Sequence, residues 1–502
     1  MDTQRLAVID LGSNTTRLIV MDYVPGRMYK LVDEIREQVR LAEGMGADNI
    51  LQPAAMQRAV HAMTMFATFC RTQHIRHILP VATSAVRDAR NRRHFLNLVR
   101  AGAGLDMRVI SGEAEAYYAA LGALNSLDFA DGFVVDLGGG SVQVAEVRGR
   151  RFVRGASLPL GTVRLTEEFV RSDPVDVSEY KALAAHVKHA LESLDWFEAR
   201  KGLRLIGLGG TIRNLAKIDR AARPYPLELP HGYALPARRV ARIAAHLRRL
   251  PVDRRARLHG LKADRADVML AGAVVVRQLL RHSGFDELTV CGHGVREGVF
   301  FEEFLRRQAE PVLANVRRFG VLNLARQYGG DTPHCAHVAR LAEWLFDALH
   351  DDRDDRDAER ELLWAAAQLH DIGTAVDYRN HHLHSEYLLL NAGVDGYTHR
   401  EIALLALLVR YHRNGGLAAY PFDDLLERGD AKRLARLVAI LRLAEMLERG
   451  RRQVVTDLDY TWDGDTLRLH LHTAGDAEVE KWEAGRNLDL FQKAFGFRVE
   501  IE

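Results

Sequence analysis

The stretch Phe133-Val134-Val135-Asp136-Leu137-Gly138-Gly139-Gly140-Ser141 joins an apolar run to an acidic residue and a glycine-rich loop. The apolar run predicts a buried strand, and Asp136 stands where that strand ends. Three glycines allow the backbone that follows to turn tightly, with its N–H groups directed at one point. Such a loop is suited to a phosphate group, and the aspartate is placed to hold a divalent cation beside it.

The same pattern occurs near the N-terminus, where Ala7–Asn14 reads as an apolar strand followed by Asp, Leu, Gly and small polar residues. A third glycine loop, Gly207–Thr211, ends another apolar run. Each loop alone could equally be an ordinary tight turn. Two Asp-Leu-Gly loops about one domain apart predict a duplicated fold that holds phosphate between its halves.

The length, charge and cysteine content are those of an ordinary globular protein. With 502 residues the chain has room for about three or four domains, and its net charge of +2 argues against wholesale binding of a polyanion such as DNA. Three widely spaced cysteines fit a reducing compartment. The sequence shows neither a signal peptide nor an apolar stretch of about 18 residues, so we expect a cytoplasmic protein that does not span a membrane.

Local patterns predict an antiparallel start followed by alternating strands and helices up to about residue 304. The segment 238–265 carries ten Lys and Arg residues, which could guide a long polyanion or form a solvated helix face. The predicted strands are 5–11, 17–24, 28–39, 78–81, 107–110, 142–147, 152–158 and 288–291. The predicted helices are 52–73, a basic helix ending at Arg100, 111–124, 178–199 and 235–249.

From about Leu305 the chain changes character and becomes mostly helical up to Arg449, with nine of its 22 histidines between residues 331 and 412. The charged run Asp351–Glu361 is interpreted as a solvated loop between helices. The tail predicts a hairpin around the turn Asp463-Gly464, then a helix at 483–495 and a last strand at 497–501.

Six motifs occur along the chain in this order: Asp10–Asn14, Thr83–Arg87, Ile110–Ala116, Asp136–Ser141, Gly209–Thr211 and Arg296–Gly298. Taken together, they resemble the exopolyphosphatase / guanosine pentaphosphate phosphohydrolase (Ppx/GppA) family. The resemblance implies an α/β fold class: two actin-like (RNase H-like) ASKHA domains at 1–124 and 125–304, an α-helical HD-like domain at 305–449 and a small α+β tail at 450–502.

The resemblance implies that water attacks a terminal phosphate and that a glutamate activates this water. The family's second glutamate falls on Glu115, while Ala114 replaces the first and Glu113 occupies the preceding variable position. A carboxylate that faces an anionic phosphate has its pKa raised by the like charge, towards the strength of a useful base. Glu113 is better interpreted as a helix-start glutamate that complements the helix dipole.

The remaining predicted site residues hold phosphate or metal. Asp10 and Asp136 are expected to hold Mg²⁺, or Mn²⁺, because hard cations prefer oxygen ligands. Arg296 and Glu297 match a family signature, but a structural ion pair is an equal alternative. The predicted phosphate-binding residues are Gly12, Ser13, Asn14, Arg17, Thr83, Ser84, Arg87, Gly138, Gly139, Gly140, Ser141, Gly209, Gly210 and Thr211.

The helical region is similar to the HD metal-phosphohydrolase pattern, through His334 and the adjacent pair His370 and Asp371. Glu445 stands where that pattern has an aspartate on a late helix. These four residues form a candidate second metal site, which His384 and His412 could complete. Packing and contact with polyphosphate are the alternatives.

The resemblance implies hydrolysis of terminal phosphates from inorganic polyphosphate, with release of orthophosphate. Removal of the 5′ γ-phosphate of guanosine pentaphosphate, giving the tetraphosphate, uses the same loops and the same base. A non-catalytic regulator that binds polyphosphate or the alarmone, and an actin-like kinase, are further alternatives. A homodimer is also implied by the resemblance.

Overall fold

A computed structural model describes residues 3–46, 48–349, 356–413, 415–419, 421–486 and 488–502. These residues form two compact units: Met1–Tyr225 with Leu229–Val316, and Arg317–Glu502 with Pro226–Glu228. No helix in the described part of the chain is both long and apolar enough to cross a membrane.

The first unit is built on two sheets. Its strands are β1 (Gln4–Leu11), β2 (Thr16–Val24), β3 (Met28–Glu37), β4 (His77–Ala82), β5 (Arg108–Val109), β6 (Gly132–Leu137), β7 (Val142–Arg148), β8 (Arg151–Leu158), β9 (Arg204–Leu208), β10 (Ala234–Pro236) and β11 (Glu287–Val290). Its helices are α1 (Pro53–Thr72), α2 (Ser84–Asp88), α3 (Arg92–Ala103), α4 (Gly112–Leu124), α5 (Thr162–Phe169), α6 (Val177–Leu191), α7 (Gly210–Ala221), α8 (Ala237–Arg249), α9 (Val252–Arg255), α10 (Met269–Ser283) and α11 (Val295–Phe304).

The two sheets repeat one topology. The first has the order β3-β2-β1-β4-β5 and the second the order β8-β7-β6-β9-β11-β10. In each, the central strand is antiparallel to the hairpin that follows it and parallel to the next crossover strand. Asp10 and Asp136 are the penultimate residues of β1 and β6, so they occupy equivalent places. The predicted duplication is therefore confirmed.

Buried apolar faces hold each sheet to its helices. In the first half, Met56, Met63 and Phe66 of α1 join the core that contains Ile9 of β1. In the second half, α10 lies in the core with nearly all of its residues buried. Local pattern analysis did not predict α10. It also missed the short helix α5 and the helix α7.

The second unit is helical, with a three-stranded sheet at its C-terminal end. Strand β12 is antiparallel to β13, as the predicted hairpin requires, and β13 is parallel to β14. Its elements are α12 (Val316–Gln327), α13 (Pro333–Leu349), α14 (Arg356–Leu369), α15 (His381–Ala392), α16 (His399–Tyr411), α17 (Asp430–Met446), β12 (Val455–Asp463), β13 (Thr466–Thr473), α18 (Glu478–Gly485), α19 (Asp489–Phe495) and β14 (Arg498–Ile501).

Two predictions for this unit need correction. Residues 351–355 of the charged run lie outside the described residues, but 356–361 form the start of α14 and not a loop. Arg356 and Arg360 of this helix pair with Asp347 of α13 at 3.1 and 3.2 Å, so the charges are paired between helices. The predicted single helix at 483–495 is two helices, α18 and α19.

Candidate functional site

A cleft lies in the first unit, at the ends of β1 and β6. Most of the predicted residues contribute to its wall. Those that line it are Asp10, Gly12, Ser13, Asn14, Arg17, Thr83, Ser84, Glu115, Asp136, Gly138, Gly139, Gly209 and Gly210. Four predicted residues, Arg87, Gly140, Ser141 and Thr211, are not among the described residues that line it.

The loops after β1 and β6 face each other in this cleft. A Cβ added to Gly140 would lie 2.6 Å from the Oγ atoms of both Ser13 and Ser84. These two hydroxyls are hydrogen-bonded at 2.8 Å. Gly140 therefore serves the close approach of the two loops, because any side chain there would push them apart.

The carbonyl groups of both loops are held by other backbone segments. The oxygens of Ser13 and Asn14 accept from the N–H groups of Ala42 and Arg40, each at 2.9 Å. In the second loop, the oxygen of Gly139 accepts from Val163 N–H at 2.9 Å. A trans peptide points its N–H group opposite to its carbonyl. The N–H groups of the peptides whose carbonyls are held in this way therefore point to the other side of each loop.

Gly138 differs from the prediction for its loop. Its N–H donates to the carbonyl oxygen of Ser141 at 3.0 Å and closes the turn. This donor is therefore already used inside the loop, so the cradle predicted over Gly138–Ser141 is smaller than the sequence suggested.

Asp10 and Asp136 place carboxylates at the base of the cleft. Burial raises the pKa of Asp10 to about 6, against the opposing effect of Arg296. Burial likewise raises the pKa of Asp136 to about 6. The Oδ1 atom of Asp10 is buried and has no hydrogen-bond partner in the described structure. Buried carboxylate oxygens without a donor fit a hard divalent cation such as Mg²⁺.

Glu115 sits in the first turn of α4, which Ser111 caps by accepting from Ala114 N–H at 3.1 Å. Its side chain lines the cleft, and the residue is 7% exposed, whereas Glu113 is exposed. Burial raises the pKa of Glu115 to about 7, although Arg87 opposes this change. A carboxyl group that titrates near neutral pH is suited to accept a proton.

Arg87 differs from its predicted role as a direct phosphate ligand. Its guanidinium donates to Oε2 of Glu115 at 2.6 Å, and it also reaches Ser157 Oγ at 3.5 Å. Arg87 therefore orients the carboxylate of Glu115 from behind. The motif Thr83–Arg87 indicated an arginine at the site, but not which group it contacts.

Arginines also line the cleft. Arg17 and Arg296 both donate to Oε1 of Glu34 at 2.9 Å, and Arg296 is 3.3 Å from Glu297. Burial, together with the neighbouring Arg296 and Arg213, lowers the pKa of Arg17 to about 9. These cations repel each other, so an anion between them would be stabilised.

Arg213 and Arg265 line the cleft and were missed as site residues. Arg213 lies in the first turn of α7 and donates to the carbonyl of Gly292 at 3.1 Å. Arg265 lies against Gly210, where an added Cβ would be 2.5 Å from its guanidinium carbon. The signal for Arg265 was the basic segment 238–265, whose last residue it is.

The third glycine loop leads into α7. Gly209 has φ +95, which favours glycine, and an added Cβ would lie 2.4 Å from the carbonyl oxygen of Leu137. The side chain of Thr211 packs against Gly272 of α10. A Cβ added to Gly272 would lie 2.3 Å from Cγ2 of Thr211. Its side chain therefore packs inside the unit, unlike the predicted contact with phosphate.

The second unit brings together the predicted His334, His370, Asp371 and Glu445. Oε2 of Glu445 lies 3.1 Å from Nε2 of both His334 and His370. His412 belongs to the same cluster, but His381 takes the place that His384 was expected to fill. His381 starts α15, and its Nε2 is 3.2 Å from Oδ1 of Asp371. Whether His381 or His384 reaches the cluster depends on the residue at which α15 begins.

Comparison with known proteins covers both units. The chain matches the Ppx/GppA phosphatase family over residues 19–307, and domain III of that family over residues 316–487. A protein of Vibrio vulnificus (strain YJ016) named guanosine-5′-triphosphate,3′-diphosphate pyrophosphatase is 28% identical over 499 residues, covering 96% of each chain. A Vibrio atlanticus (strain LGP32) protein of the same name is 28% identical, with 99% of this chain and 98% of that protein covered.

Two solved structures match about three fifths of this chain. The crystal structure of the Aquifex aeolicus family member is 29% identical, with a TM-score of 0.53, and the match covers 62% of this chain and all of that one. An exopolyphosphatase from Cytophaga hutchinsonii shares the fold at 23% identity, with a TM-score of 0.56 over 60% of this chain and 98% of that one. With both of its units matched, this chain of mixed α/β fold belongs to the Ppx/GppA phosphatase family, whose members hydrolyse phosphoanhydride bonds.

Proposed function

We propose that this phosphatase removes the terminal phosphate of inorganic polyphosphate and releases it as orthophosphate. The observation that carries this proposal is the set of four arginines in the cleft, Arg17, Arg213, Arg265 and Arg296. No aromatic side chain is among the described residues that line the cleft. Such a wall favours a chain of phosphates over a nucleobase, which proteins commonly hold by stacking.

Binding of the substrate begins with these arginines. Arginine presents a planar fork of N–H donors that matches phosphate oxygens. Glu34 holds Arg17 and Arg296 in place from behind, so both guanidinium groups are oriented before substrate arrives. Backbone N–H groups of the two glycine loops add donors from either side of the cleft.

Asp10 and Asp136 would hold Mg²⁺ through their carboxylate oxygens. Bound there, the cation would neutralise charge on the phosphate oxygens. The two aspartates fit this task because both are buried in one cleft, where the nearby arginines only partly offset the unfavourable burial of their charge. When it is ionised, each carboxylate also repels the phosphate chain unless it is neutralised.

Glu115 would act as the general base. A water beside its carboxylate loses a proton to Glu115 as its oxygen forms a bond to the terminal phosphorus. The bond from that phosphorus to the bridging oxygen breaks, and the shortened chain leaves with the electron pair. Arg87 fixes the orientation of Glu115 and keeps its pKa from rising further.

Guanosine pentaphosphate is the second candidate substrate. The relatives from two Vibrio species are named guanosine-5′-triphosphate,3′-diphosphate pyrophosphatases, and they match this chain over nearly its whole length. The reaction would use the same aspartates and the same base, while the nucleoside would lie outside the arginine-lined part of the cleft. A non-catalytic regulator is less well supported, since Glu115, Asp10 and Asp136 all line one cleft.

The test compares the two substrates in parallel. Phosphate release is measured with Mg²⁺ on long-chain polyphosphate and on guanosine pentaphosphate, at matched concentrations of terminal phosphate. We expect the larger kcat/KM with polyphosphate, and a loss with both substrates in Glu115→Gln. A larger kcat/KM with guanosine pentaphosphate would contradict the first proposal and support the second.

A further inference from the structure

Three polar side chains stand side by side on the second sheet of the first unit. Asp136 of β6 is paired with Gln143 of β7, and Gln143 is paired with Ser157 of β8. Residues that are directly opposite on neighbouring strands present their side chains on the same face of the sheet. The row therefore runs from a proposed metal ligand to Ser157, and the reaction described above uses neither Gln143 nor Ser157.

Gln143 connects this row to the glycine loop that follows β6. The residue is 1% exposed, and its side chain lines the cleft. Its Nε2 donates to Oγ of Ser141 at 2.6 Å and to Oγ of Ser157 at 3.1 Å. Because a side-chain amide nitrogen carries two hydrogens, both are used, and the two serine hydroxyls are held at fixed positions.

Ser157 lies directly against the first turn of α4, the helix that carries Glu115. A Cβ added to Gly112 would lie 2.5 Å from Cβ of Ser157. Two residues earlier on the same face of β8, a Cβ added to Gly155 would lie 2.6 Å from Cβ of Ala116. Strand β8 therefore supports the helix both before and after Glu115.

Ser157 also contacts Arg87, the residue that orients Glu115. Each nitrogen of the guanidinium group has its own side-chain partner. Nη1 donates to Oε2 of Glu115 at 2.6 Å, Nη2 donates to Oγ of Ser157 at 3.5 Å, and Nε lies 3.3 Å from Oδ1 of Asp88. Because the group is planar and rigid, three partners fix its rotation, and loss of the Ser157 hydroxyl would release one end of it.

The charges that face Glu115 come from three other elements of the unit. Burial is the largest cause of the raised pKa of Glu115, which is about 7. Asp136 of β6 and Asp10 of β1 also raise this pKa, whereas Arg87 of α2 lowers it. Since Arg87 supplies the positive charge among these groups, its position decides how much of Glu115 is ionised at a given pH.

We propose that Ser157 is a positioning residue for the general base, and that Gln143 fixes its hydroxyl and joins it to the glycine loop. The hydrogen-bonded row of Ser141, Gln143 and Ser157 holds Arg87 and the first turn of α4. Glu115 then meets the attacking water in one orientation. This inference rests on the proposed function, in which Glu115 is the base.

Such a role acts on the chemical step and not on the binding of substrate. In the described part of the chain, the hydroxyl of Ser157 is hydrogen-bonded to Gln143 and Arg87 and to none of the four arginines proposed to bind phosphate. Proton transfer requires the base to be aligned with the attacking water. A base that is free to turn therefore lowers kcat and leaves KM close to its wild-type value.

The experiment measures kcat and KM against pH for the wild type, Ser157→Ala, Arg87→Met and the variant that carries both changes. It uses Mg²⁺ and whichever of the two candidate substrates the wild type hydrolyses faster. Alanine keeps the Cβ that packs against Gly112, so Ser157→Ala removes the hydroxyl alone. We expect kcat to fall about tenfold in Ser157→Ala, with KM close to that of the wild type.

The acidic limb of the pH profile gives a second measurement. In Ser157→Ala it should move to higher pH, because a less constrained Arg87 stabilises the ionised form of Glu115 less well. When Arg87 is already methionine, Ser157→Ala should move the limb no further, since both residues act on one group. Ser193→Ala is the matched control, because this serine is exposed and its hydroxyl donates to the carbonyl of Ala190; it should keep the wild-type profile.

Three results would overturn the inference. They are a wild-type kcat and acidic limb in Ser157→Ala, a further shift of the limb when both changes are combined, and a raised KM with unchanged kcat, which would place Ser157 in substrate binding. Circular dichroism shows whether each variant is folded. If Ser157→Ala is not, Gln143→Met takes its place, because it removes the donors to Ser157 and should lower kcat and move the limb in the same direction.

Failure of the proposed function gives a different result. Turnover at the wild-type rate in Glu115→Gln would show that Glu115 is not the base, whatever the rate of Ser157→Ala. Loss of turnover in Glu115→Gln beside an unaffected Ser157→Ala would leave the base in place and overturn the positioning role alone.

Discussion

The cleft of the first unit and the histidine cluster of the second both bury carboxylates, but they surround them differently. Asp10 and Asp136 face arginines and backbone, with oxygen atoms as the available metal ligands. Asp371 faces imidazole nitrogens on both sides. The first arrangement suits a hard, exchangeable cation used together with an anionic substrate, and the second suits a tightly held transition metal.

The largest expected effect concerns Glu115, the proposed base, and should be confined to the cleft of the first unit. Glu115→Gln keeps the shape of the side chain but cannot accept a proton, so kcat for phosphate release should fall by about 10²- to 10⁴-fold. Glu113→Gln is the matched control, because Glu113 lies in the same turn of α4 and is exposed. Equal losses in both variants would remove Glu115 from its proposed role.

The next effect concerns pH. Because the pKa of Glu115 is about 7, the base is ionised above that pH, and kcat/KM at pH 6 should be about one tenth of its plateau value. Arg87 lowers this pKa, so Arg87→Met should move the acidic limb to higher pH. A pH–rate profile of both proteins checks this. An acidic limb that stays in place in Arg87→Met would show that another group controls it.

A smaller effect concerns the stability of the metal-free cleft. Folding raises the pKa of Asp10 and Asp136 to about 6. The resulting stabilisation is complete below their ordinary pKa of about 4 and is lost as pH rises through 6. Metal-free protein should therefore melt at a lower temperature at pH 8 than at pH 5.

Mg²⁺ should reverse this loss, because a cation that binds only the folded chain stabilises it. In Asp136→Asn, the melting temperature should depend less on pH and should respond less to Mg²⁺. The measurement is thermal unfolding at both pH values with and without Mg²⁺. A wild-type protein that Mg²⁺ does not stabilise at pH 8 would argue against the proposed ligands.

The smallest effect should leave both sites intact. Thr398 caps α16, accepting from Glu401 N–H at 3.3 Å while its own N–H donates to Glu401 Oε2 at 2.8 Å. Thr398→Ala should lower the free energy of unfolding by about 1 kcal/mol, and Thr398→Ser should restore most of it. Denaturant unfolding measures the change. Equal losses in Thr398→Ala and Thr398→Ser would show that the hydroxyl of Thr398 does not act as the cap.

How far the sequence predicted these regions depended on how local the signal was. The Asp-Leu-Gly loops placed Asp10 and Asp136 correctly at strand ends, because strand, turn and glycine are adjacent in the chain. Arg213 and Arg265 could not be found in this way, since they enter the cleft only through the packing of α7 and of the segment before α10. The selection of His381 over His384 likewise depends on the start of α15, which sequence patterns fix only to within a few residues.

The resemblance to a known family supplied what local patterns could not. It selected Glu115 over Glu113, and burial of Glu115 in the cleft is consistent with that choice. The expectations of a homodimer, a cytoplasmic location, an HD-like domain and the four domain boundaries remain predictions.

The most direct test measures phosphate release from long-chain polyphosphate by Glu115→Gln and Asp371→Asn side by side, each with Mg²⁺. We expect Glu115→Gln to lose nearly all turnover and Asp371→Asn to keep a rate close to that of the wild type. The opposite result, with turnover surviving in Glu115→Gln and lost in Asp371→Asn, would place the reaction in the histidine cluster and contradict the account.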